Sequence, residues 1–185
     1  MSGAGRIPLV DADTDDPQLA KVFGRFRDAG HDVPTLYRTL GNAPAMLNAW
    51  VGLAWPLRNE ATTSRALREL IIMRVAQLTR TAYEWVAHRP MTVKCGITDL
   101  QLAELHRWHD SDAFSPEQRE VLALTDELTD GLDVSDDTWT ALDARYTPGE
   151  LIELVLTAAY YACVSRTLRA LRLPVDPDDP ALESF

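Results

Sequence analysis

The chain is poor in several features that mark familiar classes of protein. Its 185 residues include only two cysteines, Cys95 and Cys163, and neither belongs to a Cys-x-x-Cys pair. A disulfide framework is therefore not expected, and a reducing cytoplasm is the expected location. Basic residues are in the minority, with 18 Lys and Arg against 28 Asp and Glu and a net charge of -10. Because this charge repels phosphate groups, we expect no nucleic-acid partner and no membrane partner.

Signals for export, membrane insertion and β-structure are scarce as well. The start, MSGAGRIPLVDADTDD, lacks the basic-then-apolar order of a signal peptide. The richest apolar stretch, LRELIIMRVAQL, is interrupted by charge and is shorter than a membrane span. Alternating β-branched runs are missing, and apolar residues recur at helical spacing instead. The sequence therefore predicts an all-α fold.

Capping residues and prolines divide the chain into about eight or nine predicted helices. Their predicted starts are Asp16–Pro17, Pro34, Pro44, Ser64, Thr98, Ser115, Ser135 and Thr147. Pro56 is expected to kink or end the helix that Pro44 begins. We predict a loose arm at residues 1–14, a single helical domain at 15–176 and a frayed tail at 177–185.

The helix predicted after Ser64 has no polar face. Its apolar residues fall on both sides of the helix: Leu67, Leu70, Ile71, Ile72, Met73, Val75, Ala76 and Leu78. A helix that is apolar nearly all round is buried on all sides. We therefore predict that it lies at the centre of the domain, at a subunit interface, or at both.

The segment TAYEWVAH, residues 81–88, follows this helix directly and carries the strongest candidate for chemistry. Glu84 and His88 are four residues apart, so they share one helix face with Thr81. Glu69, on the preceding helix, reaches the same pocket if the two helices pack together. A carboxylate beside an imidazole orients the ring and raises its proton affinity, which suits general acid or base catalysis. The alternative is an exposed helix ion pair worth a few tenths of a kcal/mol.

Other polar clusters have simpler explanations. His106 and His109 have a spacing that can bind a metal, but further ligands are not evident, and a solvated face is the preferred interpretation. Several arginines flank the TAYEWVAH segment and suit either an anionic ligand or salt bridges: Arg65, Arg68, Arg74, Arg80 and Arg89. Tyr160 and Tyr161 are interpreted as core residues.

The stretch LRELIIMRVAQLTRTAYEWVAHRPMTVKCGIT resembles the core of the carboxymuconolactone decarboxylase and alkyl hydroperoxidase D family. The matching features are Arg68-Glu69-Leu70, Arg74-Val75-Ala76, Tyr83-Glu84-Trp85, His88 and the turn Gly96 to Thr98. The later stretch LIELVLTAAYYACVSRTLRALRLPVD is similar to the closing helix of longer members. Those members commonly have a His after a Tyr in this helix, where this chain has Ala162 after Tyr161.

The resemblance implies an all-helical AhpD-like fold whose subunits assemble as dimers, trimers or hexamers. Its peroxidase branch needs cysteines at the Thr81 and Glu84 positions, which this chain lacks, so we do not expect hydroperoxidase activity. Its cysteine-free branch implies a cofactor-free, metal-free lyase that acts on a small carboxylated or lactone substrate. The implied catalytic residues are His88, Glu84 and Glu69. The residues expected to bind the substrate are Arg74, Arg89, Tyr83, Trp85 and Thr81. A non-catalytic oligomeric binding protein of the same fold is the alternative.

Overall fold

The computed structural model describes residues 5–185, and the first four residues of the predicted arm lie outside the described part. The described residues form nine α-helices and no strands, which confirms the predicted fold class. The helices are α1 (Pro17–Asp28), α2 (Thr35–Leu40), α3 (Pro44–Asn59), α4 (Arg65–Leu78), α5 (Ala82–Lys94), α6 (Asp99–Glu104), α7 (Pro116–Asp126), α8 (Asp136–Asp143) and α9 (Pro148–Leu171). Short 3-10 helices lie at Leu105–Arg107 and Pro180–Ser184, and a π-helical turn lies at Glu127–Gly131.

The predicted capping residues begin most of these helices. The Asp16 side chain accepts a hydrogen bond from the Gln18 amide at the start of α1. Thr98 and Ser115 form reciprocal capping boxes at the starts of α6 and α7. Ser64 precedes α4 as predicted, but its side chain makes no capping hydrogen bond.

Pro56 was expected to kink or end α3, and the structure shows that it does not end the helix. The helix continues to Asn59, and Pro56 lies in its last turn. A proline removes one amide donor and crowds the preceding turn. Helix α3 tolerates this because the apolar residues Val51, Ala54 and Leu57 keep its inner face buried on both sides of the proline.

The chain forms two compact units. The first contains residues up to Glu60 together with Leu171–Pro174, and the second contains Ala61–Ala170 with Val175–Phe185. In the first unit, α3 packs against α1 and α2. Residues of the predicted loose arm are bonded within this unit, because the Arg6 amide donates to the Leu171 carbonyl at 2.9 Å and the Val10 amide to the Arg38 carbonyl at 3.1 Å.

Helix α4 is the centre of the second unit, where it packs against α5 and α7. Ten of its fourteen residues are buried, including Leu70, Ile71 and Met73 at 0% exposure. The prediction of a helix buried on all sides is therefore confirmed. This burial matters for function because α4 also carries charged side chains into the interior.

The C-terminal residues differ from the frayed tail that was expected. The 3-10 helix Pro180–Ser184 packs against α5. The Trp85 indole donates to the Ala181 carbonyl at 2.7 Å, and the Phe185 ring lies 5.4 Å from the Trp85 ring. The sequence did not indicate this because the partner, Trp85, is about a hundred residues away along the chain.

Helix α9 is long and apolar enough to cross a membrane by length and composition alone, with a mean hydropathy of 1.3 over its most apolar window. The share of that window buried inside the protein is 56%. The core helix of a globular protein meets the same criteria, so α9 is weak support for membrane insertion.

Candidate active site

The site begins with the turn that joins α4 to α5. The Thr81 amide donates to the Ala76 carbonyl at 2.8 Å and the Arg80 amide to the Gln77 carbonyl at 3.1 Å, the two bonds of a Schellman motif. Arg80 occupies the left-handed position of this motif with φ 52°, a place that usually holds glycine. Arg169 of α9 donates to the Thr79 and Arg80 carbonyls and fastens the turn. The turn brings the inner face of α5 against α4.

Three predicted catalytic residues meet where these helices pack. His88 lies between two carboxylates: its Nδ1 is 2.8 Å from Glu69 Oε2, and its Nε2 is 3.1 Å from Glu84 Oε1. Glu69 is 0% exposed, Glu84 3% and His88 8%. An exposed helix ion pair, the alternative considered from the sequence, does not describe this arrangement. The group is instead a buried carboxylate–imidazole–carboxylate triad.

Two further side chains support Glu69. Arg65, one turn earlier on α4, donates from Nε to Glu69 Oε1 at 2.7 Å and also bonds it through Nη2. Thr92, one turn after His88, lies 3.4 Å from Glu69 Oε2 and donates to the His88 carbonyl at 2.9 Å. With both carboxylates and the imidazole ionised, Arg65, Glu69, His88 and Glu84 form a tetrad of zero net charge, which lowers the cost of burying the ions.

The surroundings of His88 strongly favour its protonated form. Burial opposes a charge on the ring, but hydrogen bonds and charge attraction from Glu69 and Glu84 outweigh that effect and raise the pKa of His88 to about 9. Burial likewise opposes a charge on Glu69, yet the bonds from His88 and Arg65 leave its pKa below the ordinary value. At neutral pH His88 is therefore an imidazolium that donates from both ring nitrogens.

One acceptor of the tetrad has no partner within the protein. Glu84 Oε1 accepts from His88, whereas none of residues 5–185 hydrogen-bonds to Glu84 Oε2. Both oxygens of Glu69 and both nitrogens of His88 are engaged. Glu84 Oε2 is thus the atom of the tetrad at which a bound molecule can exchange a proton with the network.

Two aromatic side chains of α9 pack next to the His88 imidazole. The Tyr161 ring stands edge-on to the His88 ring, with centroids 5.1 Å apart and an interplanar angle of 88°. Tyr160 packs against Tyr161 in the same manner at 5.4 Å. Both tyrosines are buried, as expected of core residues, and Tyr161 also forms part of the site.

The residues predicted to bind substrate lie in different surroundings. Thr81 is buried at the start of α5, 3.0 Å from the Thr79 hydroxyl, and Tyr83 is half-buried on α5. Arg89, next to His88 in the chain, donates to Asp99 at 2.7 Å, and its buried Nε has no hydrogen-bond partner.

Arg74 and Trp85 occupy positions that differ from the substrate-binding roles predicted for them. The Arg74 guanidinium forks onto both oxygens of Asp126 at 2.6 and 2.7 Å. Trp85 is 0% exposed within the apolar core cluster, where it packs with residues such as Leu102 and Leu122. Neither environment could be predicted from the sequence, because the contacting residues are distant along the chain.

Other candidate centres do not converge on the triad. No group of three His, Cys, Asp or Glu side chains among residues 5–185 is placed to hold a metal ion. His109 stacks on Trp108, and Cys95 and Cys163 are free thiols. A cavity of about 240 Å³ lies in the first unit, lined mainly by apolar residues including Ile7, Leu9 and Leu173.

Residues that the sequence interpretation did not assign to the site are Arg65 as the partner of Glu69, Thr92 and Tyr161. Helical spacing carried a usable signal for two of them, because Arg65 precedes Glu69 by one turn and Thr92 follows His88 by one turn. Nothing in the sequence indicated that Tyr161 would lie against His88.

Comparison with known proteins supports the family resemblance. Residues 44–127, which include the whole triad, match the Carboxymuconolactone decarboxylase family. Over 99 residues the chain is 29% identical to the protein YdfG of Bacillus subtilis (strain 168), a match that covers 52% of this chain and 67% of YdfG. The resemblance inferred from the sequence is therefore confirmed.

Solved structures support the same fold. A peroxidase-related protein from Ralstonia eutropha with an alkylhydroperoxidase AhpD core superposes with a TM-score of 0.79 at 18% identity, covering 95% of each chain. The debrominase Bmp8, in complex with 2,3,4-tribromopyrrole, gives a TM-score of 0.77 at 17% identity and covers 100% of this chain and 97% of its own. At these identities the likeness concerns the fold, which is AhpD-like.

Proposed function

We propose that the chain is a cofactor-free acid/base enzyme, a decarboxylase-like lyase that acts on a small carboxylated or lactone substrate. The observation that carries the proposal is the buried His88 imidazolium held between Glu69 and Glu84, with Glu84 Oε2 left open. The match of the surrounding residues to the Carboxymuconolactone decarboxylase family supports the type of reaction.

The geometry suits delivery of one proton to carbon. As the bond to the substrate carboxylate breaks, CO₂ leaves and the electron pair spreads into the unsaturated lactone carbonyl. The proton on His88 Nε2 passes to Glu84 Oε1, and rotation of the resulting carboxylic acid turns its O–H to the substrate, where it delivers the proton to the carbon. Glu69 and Arg65 keep the opposite side of the ring fixed, and the solvent then returns a proton to His88. The same network would support isomerisation of an enolisable substrate.

Arg89 is the better of the two arginines for holding the substrate carboxylate. Its buried Nε has no partner, and its Nη2 bonds only the exposed carboxylate of Asp99, which a substrate carboxylate could replace at little cost. Arg74 already binds Asp126 through two hydrogen bonds, so a second carboxylate would have to displace the first.

Two alternatives keep some support. Because both ring nitrogens of His88 are bonded inside the protein, the tetrad suits a non-catalytic binding protein in which it only holds α4 and α5 together. The peroxidase-related neighbours favour a thiol peroxidase, but such chemistry needs a thiol with a resolving partner. Here Thr81 and Glu84 stand where the cysteine pair would be needed, and neither cysteine of the chain is paired.

Release of CO₂ from carboxymuconolactone and related unsaturated lactone acids tests the proposal. We expect Glu84→Gln and His88→Gln to lower kcat/KM by at least about 100-fold, because each removes one step of proton delivery. In D₂O the wild-type product should carry deuterium at the carbon that is protonated after CO₂ leaves. Glu104→Gln, which alters a surface pair with Arg107, is the control and should leave turnover unchanged.

Each alternative has its own outcome. If the wild-type protein turns over none of these acids and both triad variants change only stability, the binding-protein interpretation replaces the proposal. Consumption of an alkyl hydroperoxide that disappears in Cys95→Ser would instead establish thiol chemistry.

A further inference from the structure

One buried hydroxyl of α9 has no hydrogen-bond partner in the described part of the chain. Ser165 is 0% exposed, and its Oγ bonds no described residue. Other hydroxyls of the same helix behave differently, because Thr157 and Thr167 each donate to the carbonyl one turn earlier, at 2.6 and 2.9 Å. A buried hydroxyl without a partner costs free energy, so the position of Ser165 needs a physical reason.

The face of α9 that carries Ser165 makes two contacts near α5, one on each side of Ser165. Tyr161, one turn earlier, packs its ring against the His88 ring with centroids 5.1 Å apart. Arg169, one turn later, donates to the Arg80 carbonyl at 3.2 Å, in the turn directly before α5. Side chains four residues apart share a helix face, so Ser165 lies on this face between the two contacts.

These two contacts set the register of α9 along α5. The helices run in opposite directions, because the later residue of α9 meets the earlier residue of the α5 region. Ser165 is midway along α9 between the two contact points, and Glu84 is midway between the corresponding points on the other side. Glu84 is 3% exposed, and its Oε2 accepts no hydrogen bond from residues 5–185. An unbonded donor and an unbonded acceptor are therefore level with each other on two neighbouring helices.

We propose that Ser165 and Glu84 border the place where the lactone ring of the substrate binds, with Ser165 Oγ donating to the lactone carbonyl oxygen. A carbonyl oxygen accepts hydrogen bonds and donates none, so it suits a buried hydroxyl that has no acceptor. The role of Ser165 in turnover rests on the proposed function, whereas its bond to a lactone carbonyl does not.

During turnover this bond stabilises developing charge. As CO₂ leaves, the electron pair spreads onto the lactone carbonyl oxygen, and a fixed donor at that oxygen lowers the barrier. Ser165 keeps its proton and forms no covalent bond. The proton that reaches the carbon comes from Glu84, on the other side of the ring.

Binding of a butenolide, an unsaturated lactone with no carboxylate to lose, tests the hydrogen bond apart from turnover. We expect Ser165→Ala to raise the dissociation constant, measured by NMR titration, by at least about fivefold, because one hydrogen bond to a neutral carbonyl is lost. The matched control is Thr157→Val, which removes a buried hydroxyl of α9 that is already bonded within the helix. It should leave the dissociation constant unchanged.

Thermal unfolding shows whether weaker binding reflects a damaged fold. Because Ser165→Ala removes a buried hydroxyl that has no partner, the ligand-free variant should unfold at a temperature no lower than that of the wild type. In turnover of a lactone acid we expect Ser165→Ala to lower kcat by about 100-fold and to raise KM by no more than about fivefold, because the donor acts mainly on charge that develops in the transition state.

The outcomes separate this proposal from the proposed function. A wild-type protein that releases no CO₂, but whose butenolide binding is weakened by Ser165→Ala, would end the lyase proposal and support the lactone site. Equal butenolide binding by the wild type and Ser165→Ala, or no binding by the wild type, overturns the lactone site whatever the turnover, because Ser165 would then face only solvent. An unchanged kcat in Ser165→Ala overturns its role in stabilising charge.

Discussion

Two networks of buried charged side chains start from α4, and they differ in how completely their acceptor atoms are hydrogen-bonded within the protein. One runs from Arg65 through Glu69 and His88 to Glu84. The other joins Arg74 to Asp126. Arg74 also donates to Gln77 at 2.6 Å and to the Leu105 carbonyl at 3.1 Å. The Trp108 indole donates to Asp126 at 3.0 Å. The second network therefore binds α4, α7 and the 3-10 helix at Leu105–Arg107 together.

The difference lies in the ends of the networks. Asp126 accepts two bonds from Arg74 and one from Trp108, so both of its oxygens are engaged by the protein. The triad ends at Glu84 Oε2, which no described residue bonds. A network whose polar atoms are all hydrogen-bonded within the protein stabilises the fold. A buried network with one unbonded acceptor can still accept a hydrogen bond from a ligand.

The largest expected effect breaks the saturated network. Asp126→Ala leaves the Arg74 guanidinium buried without its carboxylate, and we expect the free energy of unfolding to fall by about 3–5 kcal/mol in urea denaturation. Asp99→Ala removes an exposed pair with Arg89 and should cost no more than about 1 kcal/mol. Glu84→Gln should cost less than Asp126→Ala, because Gln can still bond His88 and the imidazole can release its proton. If Glu84→Gln and Asp126→Ala lowered the free energy of unfolding equally, the two networks would not differ in their contribution to stability.

The next largest effect is the pH dependence of stability. Because the folded-state pKa of His88 is raised to about 9, its contribution to the free energy of unfolding is complete below its ordinary value near 6.5 and is lost as pH rises through about 9. We expect a decline of about 3 kcal/mol between these limits. The lowered pKa of Glu69 acts on the acid side, where stability present above its ordinary value is lost as pH falls.

Urea denaturation between pH 6 and 10 measures this decline, and His88→Gln should remove most of it. Asp126→Ala should shift the whole curve downward without removing that slope. A wild-type curve that is flat across this range would contradict the assigned charge of the triad.

A smaller effect concerns the pKa of His88 itself. Glu69→Gln removes the carboxylate on Nδ1, so we expect the pKa of His88 to fall from about 9 toward its ordinary value by at least about one unit. NMR titration of the imidazole Cε1 proton measures it, with His88→Gln identifying the resonance among the four histidines. Glu104→Gln should leave it in place. If Glu69→Gln leaves the pKa of His88 unchanged, Glu84 alone is responsible for raising that pKa.

The smallest expected effect concerns the turn that sets the triad. Arg80→Gly should raise the free energy of unfolding by about 0.5–1 kcal/mol, because glycine adopts a positive φ without steric cost. Lys21→Gly, at an exposed position within α1, should lower it by about 1 kcal/mol. Thermal unfolding distinguishes the two signs, and an Arg80→Gly protein less stable than wild type would mean that the Arg80 side chain itself holds the turn.

Most of the fold followed from local patterns. Side chains at Asp16, Thr98 and Ser115 begin helices where they were predicted to, because a cap acts on amides only two or three residues away. The buried character of α4 followed from its lack of a polar face. The exception at Pro56 arose because tertiary burial of α3 outweighs a local preference.

The candidate site was only partly accessible to the same reasoning. Glu84 and His88 were paired correctly from their spacing within one helix, and Glu69 was placed with them on the condition that α4 and α5 pack together. Arg74 and Arg89 were treated alike, yet one proved to be bound to Asp126 from a distant helix. Spacing reports which residues share a helix face, but not which helix faces them.

The sequence by itself determined the helices, their caps, the apolar character of α4 and the pairing of Glu84 with His88, since these depend on interactions within one or two turns. Only the tertiary structure decided that Glu69 would bond the other side of the ring, that Tyr161 would cover it and that Glu84 Oε2 would stay open. The contacts of His88 with Glu69 and with Tyr161 join residues 19 and 73 positions apart, and their formation depends on how whole helices pack rather than on any local preference.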